Sequence, residues 1–304
     1  MRIVLIGQAA FGEKVLEKLV KGKESVVGVL TPPVIKGKPN PLHELAVKLG
    51  IPALWHKGKW NREVIEEYQK LAPELNVMAF VTDILPEAIL NYPRFGTIQY
   101  HPSLLPKHRG GSAINWAIIN GETKTGVTIF YPDRGIDTGP ILLQKEVPIA
   151  PDDTVGTLYF NKLFPIGIEA IMESIELIKQ GKAPKIPQDE AQATYEGLCT
   201  EKETVINWQQ PSVKIYNLIR GSNPQPGATT RFKGKQFKVF DAELVLGTGK
   251  GMPGRVLEIN PKGILVSTSD GAILVKRVQP EGSAKISAGE FVQQTGLKAG
   301  DKLA

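Results

Sequence analysis

Apolar and polar positions along the chain alternate between two kinds of run. "RIVLIG" (2–7), "SVVGVLT" (25–31), "LNVMAFVT" (75–82) and "GTIQYH" (96–101) are short, continuous and rich in β-branched residues, as strands covered on both faces are. Between them, "EKVLEKLVKG", "LHELAVKLG" (42–50) and "REVIEEYQKLAPE" (62–74) carry apolar residues at helical spacing. "PPVIKGKPNP" (32–41) reads as a loop. Strand and helix alternating at this spacing predict a doubly wound, mostly parallel α/β sheet.

The pattern continues with a helix in "SAINWAIINGE" (112–122), a strand in "GVTIFY" (126–131) and another, parallel or antiparallel, in "GPILLQKEVPI" (139–149). The longest helical run, 155–181, starts after the capping signal "PDDT" and stops at glycine, with Pro165 set to split or kink it. "KAPKIPQDEAQATYEG" (182–197) has few periodic apolar positions and reads as an extended linker. Beyond a short helix at 213–221, the short strands and glycine turns predict a small open β-barrel of OB-like type. The expected domains are 1–190, a linker at 191–205, and 206–304.

Composition narrows the classes of function. A chain of 304 residues, 41% hydrophobic and 22% charged, can bury one or two cores. Its single cysteine, Cys199, excludes an internal disulfide and a thiolate cluster. Four histidines, none in HExxH or at close ligand spacing, predict no metal. The net charge of +6 favours phosphate- or carboxylate-bearing partners in general. With an N-terminal apolar run of only "IVLIG" and no run of about 18 apolar residues, the expectation is a cytoplasmic protein without a membrane partner. The expected state is a monomer or a homodimer.

Candidate chemistry gathers at the predicted strand ends, where open α/β sheets collect ligands. "IGQAAFG" lacks the third glycine of GxGxxG. It reads as a tight turn that puts Gln8 and Phe11 beside a ligand crevice. His101 closes its strand at the same edge. It is either an acid–base imidazole or a core histidine satisfied by backbone. The following "SLLPKHRGGSAINW" presents Ser103, Leu104, Leu105, Lys107, Arg109 and Gly110, either as an anion-holding substrate segment or as a solvated turn. In "YPDRGIDTGPILLQ" (131–144), Asp133 and Asp137 are either partners for an imidazole or turn formers. The 126–131 strand and the His101 strand share a presumed sheet, so its end would bring Asp137 near His101.

"HPSLLPKHRG" followed by "DRGIDTGPILLQ" resembles the formyltransferase family that uses 10-formyltetrahydrofolate. "INWQQP", "IRGSNPQPGATT" and the tail from "GRVLEIN" resemble the C-terminal domain of its tRNA-modifying members. The resemblance implies the folate as formyl donor. It assigns His101 as the active-site histidine and Asp137 as its partner. Gln99 stands where the family usually has an asparagine that donates to the developing oxyanion. The folate would lie along Val81, Thr82, Asp83, Ile84, Leu85 and Pro86, and against the backbone of Arg134, Gly135 and Ile136. The expected reaction is formyl transfer to an amine of the methionyl-tRNA formyltransferase type, with initiator methionyl-tRNA as partner. The alternatives are hydrolysis of the formyl-folate or transfer to a small amine such as an amino sugar. The stretch "TPPVIKGKPNPLHELA" (31–46) is short and keeps only Lys36 and Lys38 before the helix, where the tRNA-acting relatives carry a long basic loop, whereas the tail "KISAGEF" favours them.

Overall fold

The computed structural model describes residues 1–35, 37–55, 60–81, 84–247 and 251–304. They form two compact units. The first comprises Met1–Gly111, Gly126–Val147 and Asn161–Tyr195; the second comprises Ser112–Thr125, Pro148–Phe160 and Glu196–Ala304.

The first half of the chain contains β1 (Arg2–Gly7), α1 (Ala9–Lys21), β2 (Ser25–Leu30), β3 (Val34–Ile35), β4 (Lys38–Pro39), α2 (Pro41–Lys48) and β5 (Ala53–Leu54). These are followed by α3 (Arg62–Lys70), β6 (Leu75–Ala79), α4 (Glu87–Leu90), β7 (Thr97–His101), α5 (Ala113–Ile119), β8 (Lys124–Phe130) and β9 (Ile141–Pro148). The principal sheet has the order β5-β2-β1-β6-β7-β8-β9. Its first five strands are parallel. Strand order reverses on either side of β1, and the crevice beyond the carboxyl ends there is where such sheets bind ligands. The apolar runs that predicted these strands are buried on both faces: Ile3, Val4, Leu5, Val77 and Ile98 are all core. The stretch expected as loop at 32–41 contains a small hairpin, because β3 and β4 pair with each other.

β8 departs from the parallel expectation. It runs antiparallel to β7, with Gln99 opposite Phe130 and His101 opposite Thr128. Its end therefore lies two residues back from His101, pointing away from the ligand-binding edge. β9 returns beside it, closed at one end by Tyr131 N donating to Pro140 O and at the other by Ile149 N donating to Thr123 O.

The long helical run is divided as Pro165 predicted. α6 (Val155–Leu158) passes into a π turn (Tyr159–Leu163), and α7 (Phe164–Lys179) restarts with Pro165 in its first turn. Proline has no N–H to donate back along the helix, and the wider π turn accommodates that missing bond. Thr154 caps α6 in a capping box with Thr157.

In the second unit, α8 (Ser212–Gly221) precedes β10 (Ala228–Phe232), β11 (Lys235–Leu246), β12 (Val256–Asn260), β13 (Gly263–Ser267), β14 (Gly271–Pro280), β15 (Ile286–Ser287) and α9 (Ala288–Thr295). The sheet is antiparallel, ordered β10-β11-β14-β13-β12, with β15 on β14. β10 and β12 remain its edges, so the expected barrel is open. Trp208, Ile215, Ile219, Val239, Val266, Ile273 and Phe291 fill its core.

Gly7 ends β1 where a Cβ would meet the Ala79 carbonyl oxygen at 2.1 Å. Gly7→Ala should lower stability by about 1–3 kcal/mol, the range for overpacking, read as an earlier urea midpoint. Gly289→Ala on α9, whose Cβ would meet only Ser287 Oγ at an ordinary 4.0 Å, should leave the midpoint unchanged or raise it.

Candidate active site

Side chains two apart on a strand share a face. On β7, Tyr100 faces one way, with its ring 4.3 Å from that of Phe11. α7 approaches it closely because Gly167 has no Cβ, which would meet the Tyr100 ring at 2.5 Å. Gln99 and His101 face the other way. The half-buried Gln99 side-chain amide has no hydrogen-bond partner among the described residues, so its N–H groups can serve something else.

His101 is 4% exposed. Its Nε2 lies 2.8 Å from the His108 carbonyl oxygen, which can only accept, so Nε2 carries the hydrogen. Nδ1 is then the nitrogen whose protonation changes. It lies 3.4 Å from Asp137 Oδ2. Burial lowers the imidazole pKa from its ordinary value, while the Asp137 charge and the His108 carbonyl oppose that shift. The ring is held as a neutral base beside a carboxylate that stabilises it when it takes a proton.

Asp137 reaches this place by an unexpected route. The antiparallel β8 delivers the chain to the wrong end of β7, and the 131–140 loop must turn back toward His101. Asp137 takes the left-handed conformation, φ 57°, and so does His108, φ 55°. Non-glycine residues in that region are uncommon and need support from their surroundings. Gly110 N provides part of it, donating to Asp137 Oδ2 at 2.8 Å. Asp133, by contrast, is a turn former: its Oδ1 accepts from Gly135 N at 2.9 Å and Thr138 Oγ1 at 2.5 Å.

The segment after His101 is a built turn. Ser103 is fully buried, and its hydroxyl donates to Lys107 O at 2.6 Å. Thr128 Oγ1 donates to Ser103 O and accepts from Leu105 N, and Gln144 Nε2 donates to Leu105 O at 2.8 Å. Leu104 packs into the space a side chain at Gly126 would need. Lys107 is exposed. Arg109, expected to hold an anion, is 7% exposed and its guanidinium is bidentate to Glu190 at 2.6 and 2.9 Å. Its charge is already matched within the chain. Phe11, expected beside a ligand, is 1% exposed and packs between Tyr100 and Phe164, leaving no surface to offer one. Gln8 is half-buried at the start of α1.

The two loops assigned to folate stand close together: Arg134 pairs with Glu87 at the start of α4. Ile84 is 84% and Ile136 51% exposed, while Leu85 is core and Val81 packs beside it. Pro86 precedes α4 at its N-cap. Gly135 must be glycine, since a Cβ would meet Thr138 Oγ1 at 2.0 Å. Thr82 and Asp83 lie outside the described residues. Sequence reasoning missed Thr128, Gln144 and Gln188, which support the site from positions 16 to 79 residues distant from their partners, and Glu190, which neutralises Arg109.

Among the described residues no group of His, Cys, Asp and Glu is arranged to hold a metal, and no helix is long and apolar enough to cross a membrane. Burial and the Glu203 charge push the Cys199 thiol up to about 11, so it is protonated near neutral pH.

Because the neighbouring carboxylate opposes the effect of burial, its removal has a definite sign. By NMR, the His101 imidazole should titrate below its ordinary value of about 6.5, and in Asp137→Asn lower still. A midpoint that rises in the variant would show that Asp137 does not act on the ring.

Residues 1–165 match the family described as Formyl transferase, and 199–296 match Formyl transferase, C-terminal domain. The cytosolic 10-formyltetrahydrofolate dehydrogenase of Mus musculus is 42% identical over 98% of this chain. The chain spans about a third (35%) of that relative's length. A methionyl-tRNA formyltransferase of Trichlorobacter lovleyi is 37% identical over 99% of this chain and 96% of its own. Among solved structures, HypX from Aquifex aeolicus in complex with tetrahydrofolic acid superimposes with a TM-score of 0.69 at 21% identity, covering 98% of this chain and 48% of that one, a likeness of fold. On the two matched regions and the relative matched over nearly its whole length, the chain belongs to the formyl transferase family.

Proposed function

We propose that the protein transfers a formyl group from 10-formyltetrahydrofolate to an amine, with initiator methionyl-tRNA as acceptor. The observation that carries this reading is the 3.4 Å approach of His101 Nδ1 to Asp137 Oδ2, with the Gln99 amide on the same strand face. The folate supplies a one-carbon acyl group already bonded to nitrogen. Exposed Ile84 and Ile136 suit the flat faces of its ring.

Each residue has a task. The Gln99 amide donates to the formyl oxygen as negative charge gathers there. His101 takes the proton that the attacking amine loses as its nitrogen bonds to the formyl carbon. Asp137 stabilises the imidazolium so formed. His101 then returns the proton to N10 as the bond between N10 and carbon breaks, and atoms and charge balance without a covalent link to the protein. His101→Ala and Asp137→Ala should each lower turnover at least about 100-fold, the low end for acid–base residues. Gln99→Asn should retain activity, since it keeps the amide. Near-wild-type turnover in both purified alanine variants would exclude this assignment.

A second reading is hydrolysis of the formyl-folate, or transfer to a small amine. It is favoured by the higher identity to the dehydrogenase relatives and by the short 32–41 stretch, whose sequence holds only Lys36 and Lys38 as basic residues for an acceptor stem. Tetrahydrofolate release should be followed with 10-formyltetrahydrofolate alone, then with charged initiator tRNA, then with an amino-sugar nucleotide. The lead reading predicts release that depends on the tRNA. Equal release in water alone would replace it with hydrolysis.

A further inference from the structure

The stretch that reads as a linker carries a side chain whose hydrogen-bonding capacity is completely used at the site. Gln188 Nε2 donates to Asp137 O at 2.8 Å and to Gly139 O at 2.7 Å. Gln188 Oε1 accepts from Arg109 Nη2 at 2.8 Å and from Arg109 Nε at 3.2 Å. A primary amide has two donors and an oxygen with two lone pairs, and all four are engaged. The amide's orientation is unambiguous, since carbonyls only accept and a guanidinium only donates.

Its partners are the two segments that meet at His101. On one side it holds the carbonyl of Asp137 itself, the residue in the left-handed conformation whose carboxylate faces the imidazole. On the other it holds Arg109, which lies between His108, whose carbonyl receives the imidazole N–H, and Gly110, whose N–H binds the Asp137 carboxylate. The neighbouring backbone is pinned as well: His108 N donates to Thr194 Oγ1 and Arg109 N to Thr194 O. Glu190 also binds Arg109, but no bond from it reaches the 131–140 loop.

We infer that Gln188 is a positioning residue that fixes the separation of Asp137 and His101 by clamping the acidic loop to the turn at 108–110. Only an amide fits this place. A carboxylate offers no N–H to the two carbonyls, and an ammonium offers no acceptor to the guanidinium. Loss of the clamp leaves Arg109 with Glu190 and the fold with its cores, but frees the loop that carries Asp137. Displacements of about 1 Å at a reacting pair can cost about 100-fold in rate.

The inference rests on the reaction proposed above for its kinetic arm, and on geometry alone for its spectroscopic arm. Gln188→Met, Gln188→Glu and Glu190→Gln are compared with wild type for kcat and folate KM. The imidazole titration of His101, which is faced by Asp137 and by the His108 carbonyl and ring, is followed by NMR in Gln188→Met and Glu190→Gln. Both Gln188 variants should lose at least about 10-fold in kcat, within the range for a misplaced reacting group, with little change in KM or thermal midpoint. Glu190→Gln should match wild type. The His101 midpoint should fall in Gln188→Met and stay put in Glu190→Gln. Wild-type kcat and titration in Gln188→Met would overturn the inference. So would an equal loss in Glu190→Gln, which would assign the effect to anchoring of Arg109. If wild type itself released no tetrahydrofolate, the proposed function would fail, and the titration would decide the role of Gln188 alone.

Discussion

The site depends on one approach: a carboxylate from the 131–140 loop held against a buried imidazole at the end of β7. Neither group is useful by itself. A buried histidine bonded only to a carbonyl is a structural residue, and an aspartate in a glycine-containing turn is a turn former, as Asp133 is. Brought within 3.4 Å of each other, they become a pair that can hold and pass one proton. The imidazole N–H is committed to the His108 carbonyl, so exchange is confined to the nitrogen that faces Asp137.

The surrounding structure maintains that approach. Tyr100 locks β7 from the opposite face through Phe11 and the close passage of α7 at Gly167. Thr128 and Gln144, from β8 and β9, tie down the turn that follows His101. Gln188 bonds to the turn at Arg109 and to the acidic loop at Asp137. These contacts support two left-handed residues, Asp137 and His108, that would otherwise relax. Among the described residues the Gln99 amide, on the same face of β7 as His101, has no internal partner.

Much of this was legible in the chain. The apolar runs at 2–7, 25–31, 75–82 and 96–101 marked buried strands, because full burial requires them to be continuous rather than alternating. Pro165 marked the break between α6 and α7. The motif around His101 and Asp137 marked the family. What local pattern could not convey was direction and distance. A strand's residues look the same whether its neighbour is parallel or antiparallel, so the reversal of β8 was invisible, and Asp137 meets His101 by a returning loop instead of a shared strand-end edge. Arg109 looked available to an anion because Glu190 is 81 residues away in sequence. Phe11 looked like a pocket residue because its place in the turn said nothing of the Tyr100 ring beneath it. Gln188 carried no signal, since one amide in a polar stretch has no periodicity.

The claim most open to direct measurement is that the Gln99–His101 face receives the formyl group. A crystal structure with a bound, unreactive formyl-folate analogue tests it. The account predicts the formyl oxygen within about 3 Å of the Gln99 amide nitrogen, with the formyl carbon beside His101 and the ring between the 81–86 and 134–136 loops. A formyl group bound elsewhere, or Asp137 turned away from His101 when the analogue is bound, would contradict it.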